Sequence, residues 1–193
     1  MKKLTFLLTT LLLAGTIVSC DKEVTNDIEG VNTKVAYVLN DNSRPISDGL
    51  ITPAILAVDK PRGGNITCAD VAQAYNTTFV LCGDKLDFGN YDSDTDLEFN
   101  GEFPEWLDVT VTDGKFVSFT VNNSGDVCYQ VGAVIVKGSN SANVYFYGDG
   151  TQSDSGLAAP LNNSGTPAGL SNLTFCFVEC KKDFVIAVKA VYK

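Results

Sequence analysis

The sequence predicts an all-β fold: a two-sheet β-sandwich of about eight strands with one long loop near residues 148–171. Three observations carry that prediction. Apolar residues alternate with polar ones over short stretches, Leu107, Val109 and Val111 in one and Val117, Phe119 and Val121 in the next, which is the period of strands that bury one face. Gly, Asn and Asp punctuate the gaps, as turns between strands require. Only residues 68–75, with Ala, Val and Gln, read as a helix. A length of 193 residues suits one domain plus an extension, and 45% hydrophobic residues is too high for a disordered chain.

The N-terminus reads as a targeting segment. Lys2 and Lys3 precede an apolar run over 4–14 broken only by threonines, and small residues then lead to Cys20. This is the layout of a signal peptide over residues 1–19, and the run is too short for a good membrane span. Ile17-Val18-Ser19-Cys20 resembles the bacterial lipobox, which implies that Cys20 is diacylated and becomes the new N-terminus. Several acyl chains on one Cys give stable membrane attachment. Plain secretion with Cys20 incidental is the competing reading. Asp21-Lys22-Glu23 resembles the export tether of surface lipoproteins in Bacteroides-like bacteria and implies the outer membrane or cell surface. In enterobacteria, Asp after the lipidated Cys goes with inner-membrane retention.

Residues 20–33 are polar and read as a tether. Residues 34–64 form an N-terminal extension with two apolar stretches interrupted by Pro45, Pro53 and Pro61, a pattern suited to an edge strand. Gly63-Gly64 marks a boundary, and residues 65–193 form the β-sandwich domain.

Within that domain, 77–81 is a short β-branched run. Strands 106–111 and 117–121 form a hairpin over Asp113-Gly114. A three-residue loop pairs Val109 with Val117 and Leu107 with Phe119, whereas a two-residue loop sets apolar against polar. The first register predicts a type I turn with Gly114 left-handed in a bulge. Residues 131–136 are apolar on both faces and read as a central strand. Residues 144–147 form another strand, and 173–179 pairs with 184–192 in a last hairpin, Phe177 against Ile186 and Phe175 against Val188.

Composition removes several functions. With no histidine, the chain cannot build a Ser-His-Asp triad, a Cys-His pair or a His-ligated zinc site. A net charge of −9 does not suit nucleic acid, whose phosphates demand Lys and Arg. Loss of residues 1–19 would take two lysines and no acid, leaving 12 basic and 23 acidic residues and a net charge of −11 over 174 residues. Paired carboxylates could serve a glycosidase, but the acids here sit in turn-like segments, and no enzyme is expected.

Six cysteines are present. With Cys20 lipidated, Cys68, Cys82, Cys128, Cys176 and Cys180 remain in an oxidising compartment. Five is odd, so two bridges and one leftover thiol are expected. Cys180 is a candidate for it, with no base nearby in sequence to activate it, and the pairing stays open.

Three constellations are candidate sites. The 148–171 segment, rich in Gly, Ser, Asn and Asp, is long for a loop, and long loops often carry function. As a ligand-contacting loop it would present Lys137, Tyr147, Asp149 and Asp154. The favoured alternative is a cover strapped over an open sandwich edge, with Leu157 and Leu170 plugging the core. Asp92, Asp94, Asp96 and Glu98 alternate and would suit Ca²⁺, the one cofactor considered. The EF-hand pattern fails, however, with Leu97 at its glycine position and Phe103 at its last, so a solvated acidic turn is preferred. Trp106, near Phe99 and Phe103, could stack a sugar, although its place at the start of a strand favours the core edge.

One resemblance covers residues 65–180. Ala133-Val-Ile-Val-Lys-Gly138, Asn143 to Tyr147, Ser153-Asp-Ser-Gly-Leu157 with Pro160, and Gly169-Leu-Ser-Asn-Leu-Thr-Phe-Cys176 resemble a module of bacterial surface and secreted proteins. Asn65 to Asp70 is similar to the start of such modules. The resemblance implies an extracellular β domain for display or binding, without assigned chemistry, and a Cys68–Cys176 bridge. The module's His is Asn172 here, so any role of that His would be lost or changed. These readings converge on a lipid-anchored cell-surface binding module without catalytic activity, with a membrane partner and a glycan or surface protein as ligand. The alternatives are a carbohydrate-binding accessory lipoprotein and a structural subunit of a surface assembly.

Overall fold

A computed structural model describes residues 36–38, 45–57, 65–90, 96–124 and 128–180. These hold eleven strands and one helix. The fold is all-β, with two antiparallel sheets in a sandwich-like arrangement, as the alternation predicts. The smaller sheet runs β6 (Leu107–Thr112), β7 (Phe116–Val121) and β10 (Ser153–Ala158), in the order β10-β7-β6. The larger contains β4 (Leu86–Gly89), β5 (Glu98–Phe99), β8 (Tyr129–Gly138), β9 (Ser141–Thr151) and β11 (Asn172–Glu179), in the order β5-β4-β11-β8-β9. Its sixth strand, β3 (Leu81–Cys82), also pairs with β11. β1 (Ala36–Val38) and β2 (Ile55–Ala57) form a separate ribbon.

Between the sheets lies a core of Leu107, Val117, Phe119 and Val121 from the small sheet and Val134, Val136, Tyr145, Leu173, Phe175 and Phe177 from the large one. The other face of the large sheet is covered too. Ala133, Ile135, Val144 and Cys176 pack there with Leu56 of β2 and with Cys68 and Val71 of α1 (Cys68–Tyr75). This double cover explains why 131–136 is apolar on both faces.

α1 spans the expected residues. The side chains of Thr67 and Asp70 satisfy each other's backbone N–H groups in a capping box, and left-handed Asn76 ends the helix. The Cys68–Cys176 bridge, Cα atoms 5.6 Å apart, ties the helix to β11, and this is the pairing the module resemblance implies. A second bridge joins Cys128 and Cys180. No cysteine among the described residues is free, Cys82 included. The expected leftover thiol is therefore corrected, and Cys180 is not it.

Further expectations change. The β6–β7 hairpin keeps apolar opposite apolar but sits two residues along, with Leu107 facing Val121, Val109 facing Phe119 and Val111 facing Val117. Its turn has both Asp113 (φ 53°) and Gly114 (φ 62°) left-handed, and Lys115 N–H donates to Thr112 C=O. Two consecutive positive φ values are those of a type I′ turn, which Asp-Gly favours, so the expected type I turn is corrected while left-handed Gly114 stands. The 77–81 run forms a strand only at Leu81–Cys82. The long loop at 148–171 is also corrected: β9 continues to Thr151, and β10 occupies Ser153–Ala158. Beyond the eight expected strands are pieces as short as two residues, such as β3 and β5, which show no period. The partner strand 184–192 lies outside the described residues.

The rest of that segment is the strap. Ala159, Ala168 and Leu170 are buried, Leu170 N–H donates to Gly114 C=O on the small sheet, and Ser171 N–H donates to Lys137 C=O on the large one. Leu157 is fully buried as well, so both leucines plug the core. A Cβ on Gly138 would lie 2.6 Å from both Ala159 Cβ and Gly169 O, and only glycine lets the strap approach so closely. The extension contributes an edge contact: Ala54 and Val144 exchange backbone hydrogen bonds of 2.9 and 2.8 Å along β9.

Candidate functional site

Of the four residues assigned to a ligand-contacting loop, the structure brings together two. Tyr147 donates from its hydroxyl to Asp154 Oδ2 at 2.8 Å. Asp154 Oδ1 accepts from Gly49 N–H and Ser155 N–H, both at 2.8 Å. The carboxylate is thus buried with its hydrogen bonds made, as a buried charge must be, and it fastens the 47–50 turn onto β10. Lys137 lies elsewhere, at the far end of β8, donating to Ser139 C=O. It pairs with Ala142, so Asp149 is seven residues further along β9, roughly 23 Å away at strand rise. The four do not form one site.

The neighbouring Tyr145 completes a polar knot inside the core. Its hydroxyl accepts from Ala158 N–H (2.9 Å) and donates to Pro45 C=O (2.6 Å). Asn143 Nδ2 donates to Ala158 C=O, and its Oδ1 has no partner. Burial pushes the Tyr145 phenol up from 10.0 to about 12. Burial also raises Tyr147, reinforced by its bond to Asp154. Tyr145 is a core residue with a polar tip, and half-buried Tyr147 packs against that core.

This sets a pH dependence. Unfolded tyrosines ionise near 10, whereas folded Tyr145 holds its proton to about 12. The raised value adds stability below pH 10 that is lost as pH climbs through that window, because the unfolded state alone releases its proton. The melting temperature is expected to fall between pH 10 and 12, and Tyr145→Phe to flatten that fall while lowering the neutral-pH value by freeing Ala158 N–H. An unchanged alkaline slope in melts of the variant would refute the account.

Trp106 sits at the core edge. It stacks on Tyr129 with ring centroids 5.1 Å apart and meets Phe177 edge-on at 4.8 Å. In the acidic run, Asp92 and Asp94 lie outside the described residues, while Asp96 and Glu98 are exposed. Among the described residues no group of three or more His, Cys, Asp or Glu is placed to hold a metal.

The feature no local pattern announced is a cleft of about 440 Å³ between β3 and the segment leading into β6. Leu81, Leu86, Leu107, Phe103, Phe175 and Phe177 form its apolar walls, and Asp84, Glu102 and Glu105 line it as well. Pro104 C=O accepts from Leu107 N–H at 2.8 Å and turns the segment at the mouth. The available signal was Glu102-Phe103-Pro104-Glu105, an aromatic flanked by two acids.

The chain matches no protein-family model, no curated protein and no solved structure. The cleft's chemistry therefore rests on its own geometry.

Proposed function

We propose that this protein is a lipid-anchored, cell-surface β-sandwich that binds a partner without transforming it. The observation that carries the reading is the lipobox-like Ile17-Val18-Ser19-Cys20 at the end of a signal-peptide layout. The Cys68–Cys176 and Cys128–Cys180 bridges support it, since disulfides persist in exported proteins. The cleft supports the binding half, being concave, largely apolar and edged by a few charges, as ligand sites are. No helix among the described residues is long and apolar enough to cross a membrane, so attachment in this reading falls to Cys20.

Mass spectrometry of the N-terminal peptide tests the anchor. We expect a diacylated Cys20 and release of Cys20→Ser from the membrane fraction. An unmodified mature N-terminus, or Cys20 recovered in a disulfide-linked peptide, would overturn it. Surface exposure is read by protease digestion of intact cells, where full protection argues for an inward-facing location. A structural subunit that lent its 34–64 extension to a neighbour as a strand would have to give up the pairing of Ala54 with Val144 in its own chain.

A further inference from the structure

We infer that the cleft between β3 and residues 102–105 binds a small organic cation with an apolar body. This deepens the binding-module reading and rests on it. The cleft's volume, about 440 Å³, falls within the range of small-ligand sites. Its inner wall is closed by Leu86, Leu107, Phe175 and Phe177, all buried, while Leu81 and Phe103 are half-buried. The Phe103 and Phe175 rings meet at 90° with centroids 5.7 Å apart, forming an aromatic corner.

Charge decides the ligand class. Asp84, Glu102 and Glu105 are exposed, and no Lys or Arg among the described residues lines the cleft. The nearest cation in sequence, Lys85, is paired with Asp87. An anion entering here would be repelled by three carboxylates. A neutral apolar molecule would fill the walls but leave the carboxylates without a counter-charge while displacing their water. An ammonium on an apolar stem meets both demands: the stem leaves water against the leucines and phenylalanines, and the head is attracted to carboxylates and ring faces alike. The net charge of −9 draws cations toward the molecule before they reach the cleft.

The test titrates the full chain, in non-ionic detergent, with phenethylammonium and with its neutral counterpart phenethyl alcohol. Phenethylammonium is expected to bind one site and to weaken as salt is added, with the alcohol at least about tenfold weaker. Glu102→Gln with Glu105→Gln is expected to reduce phenethylammonium affinity by about tenfold, at an unchanged melting temperature because both side chains are exposed. Asp84→Asn, on the other lip, shifts affinity in the same direction and serves if the double variant loses stability. Equal affinity for the alcohol, or unchanged affinity in the charge-removed variants, overturns the proposal. The titration does not require lipid on Cys20, so its failure leaves the anchor intact, and an unlipidated Cys20 leaves the cleft assignment intact.

Discussion

Replacing both Cys68 and Cys176 with serine is expected to lower stability by about 4–5 kcal/mol, because the bridge closes a loop with a separation of 108 residues. Both cysteines are buried, at 3% and 0% exposure, so two hydroxyls would also enter the apolar layer under the large sheet. α1 has only eight residues, too few to hold a helix without packing. Its release would uncover Ile135 and Ala133. Guanidinium unfolding of the double variant against the native chain measures the effect, and a loss below about 1 kcal/mol would refute the loop-closure argument. The Cys128–Cys180 bridge spans 52 residues, roughly half as many, so its removal is expected to matter less by about 0.6 kcal/mol.

Phe175→Ala is the second large effect, expected to lower stability by about 3–5 kcal/mol. The side chain is 2% exposed and joins three other rings: Phe103 at 5.7 Å, Phe119 at 5.4 Å and Phe177 at 6.1 Å. It therefore connects the large sheet to both the small sheet and the cleft wall. Phe175→Leu keeps most of the volume and is expected to lose less than half as much, which a thermal or denaturant melt of the pair would show. Equal losses would mean that the site relaxes around either residue, and the cavity argument would fail.

Side-chain parity was the most legible part of the fold. Alternating Leu107, Val109 and Val111 must face alternating Val117, Phe119 and Val121, because a one-residue slip would turn the apolar face to solvent. A two-residue offset leaves that pattern intact. What chose the offset was the turn, where Asp113 and Gly114 both adopt positive φ. β10 was hidden for a different reason. Its buried residues are Asp154, Leu157 and Ala158, and the register shifts between Asp154 and Leu157, so no period of two survives. Asp154 reads as a loop residue until Gly49, Ser155 and Tyr147 are seen to satisfy it. The cleft draws on residues from Leu81 to Phe177, and no local window contains them together. The candidate loop site failed on the same ground: β-strand length alone separates Lys137 from Asp149.

The Cys68–Cys176 bridge also governs how the molecule bears load. A pull arriving from the N-terminal side enters the folded domain ahead of α1 and reaches Cys68, where the covalent path crosses straight to Cys176. When the other end of the load is held beyond Cys176, residues between the two cysteines carry none of the tension once the bridge is taut. A chain with 108 residues so bypassed withholds roughly 380 Å of contour length at full extension. Under shear the protein is therefore expected to behave as a short, stiff link, with the cleft and both sheets lying largely inside the shielded span.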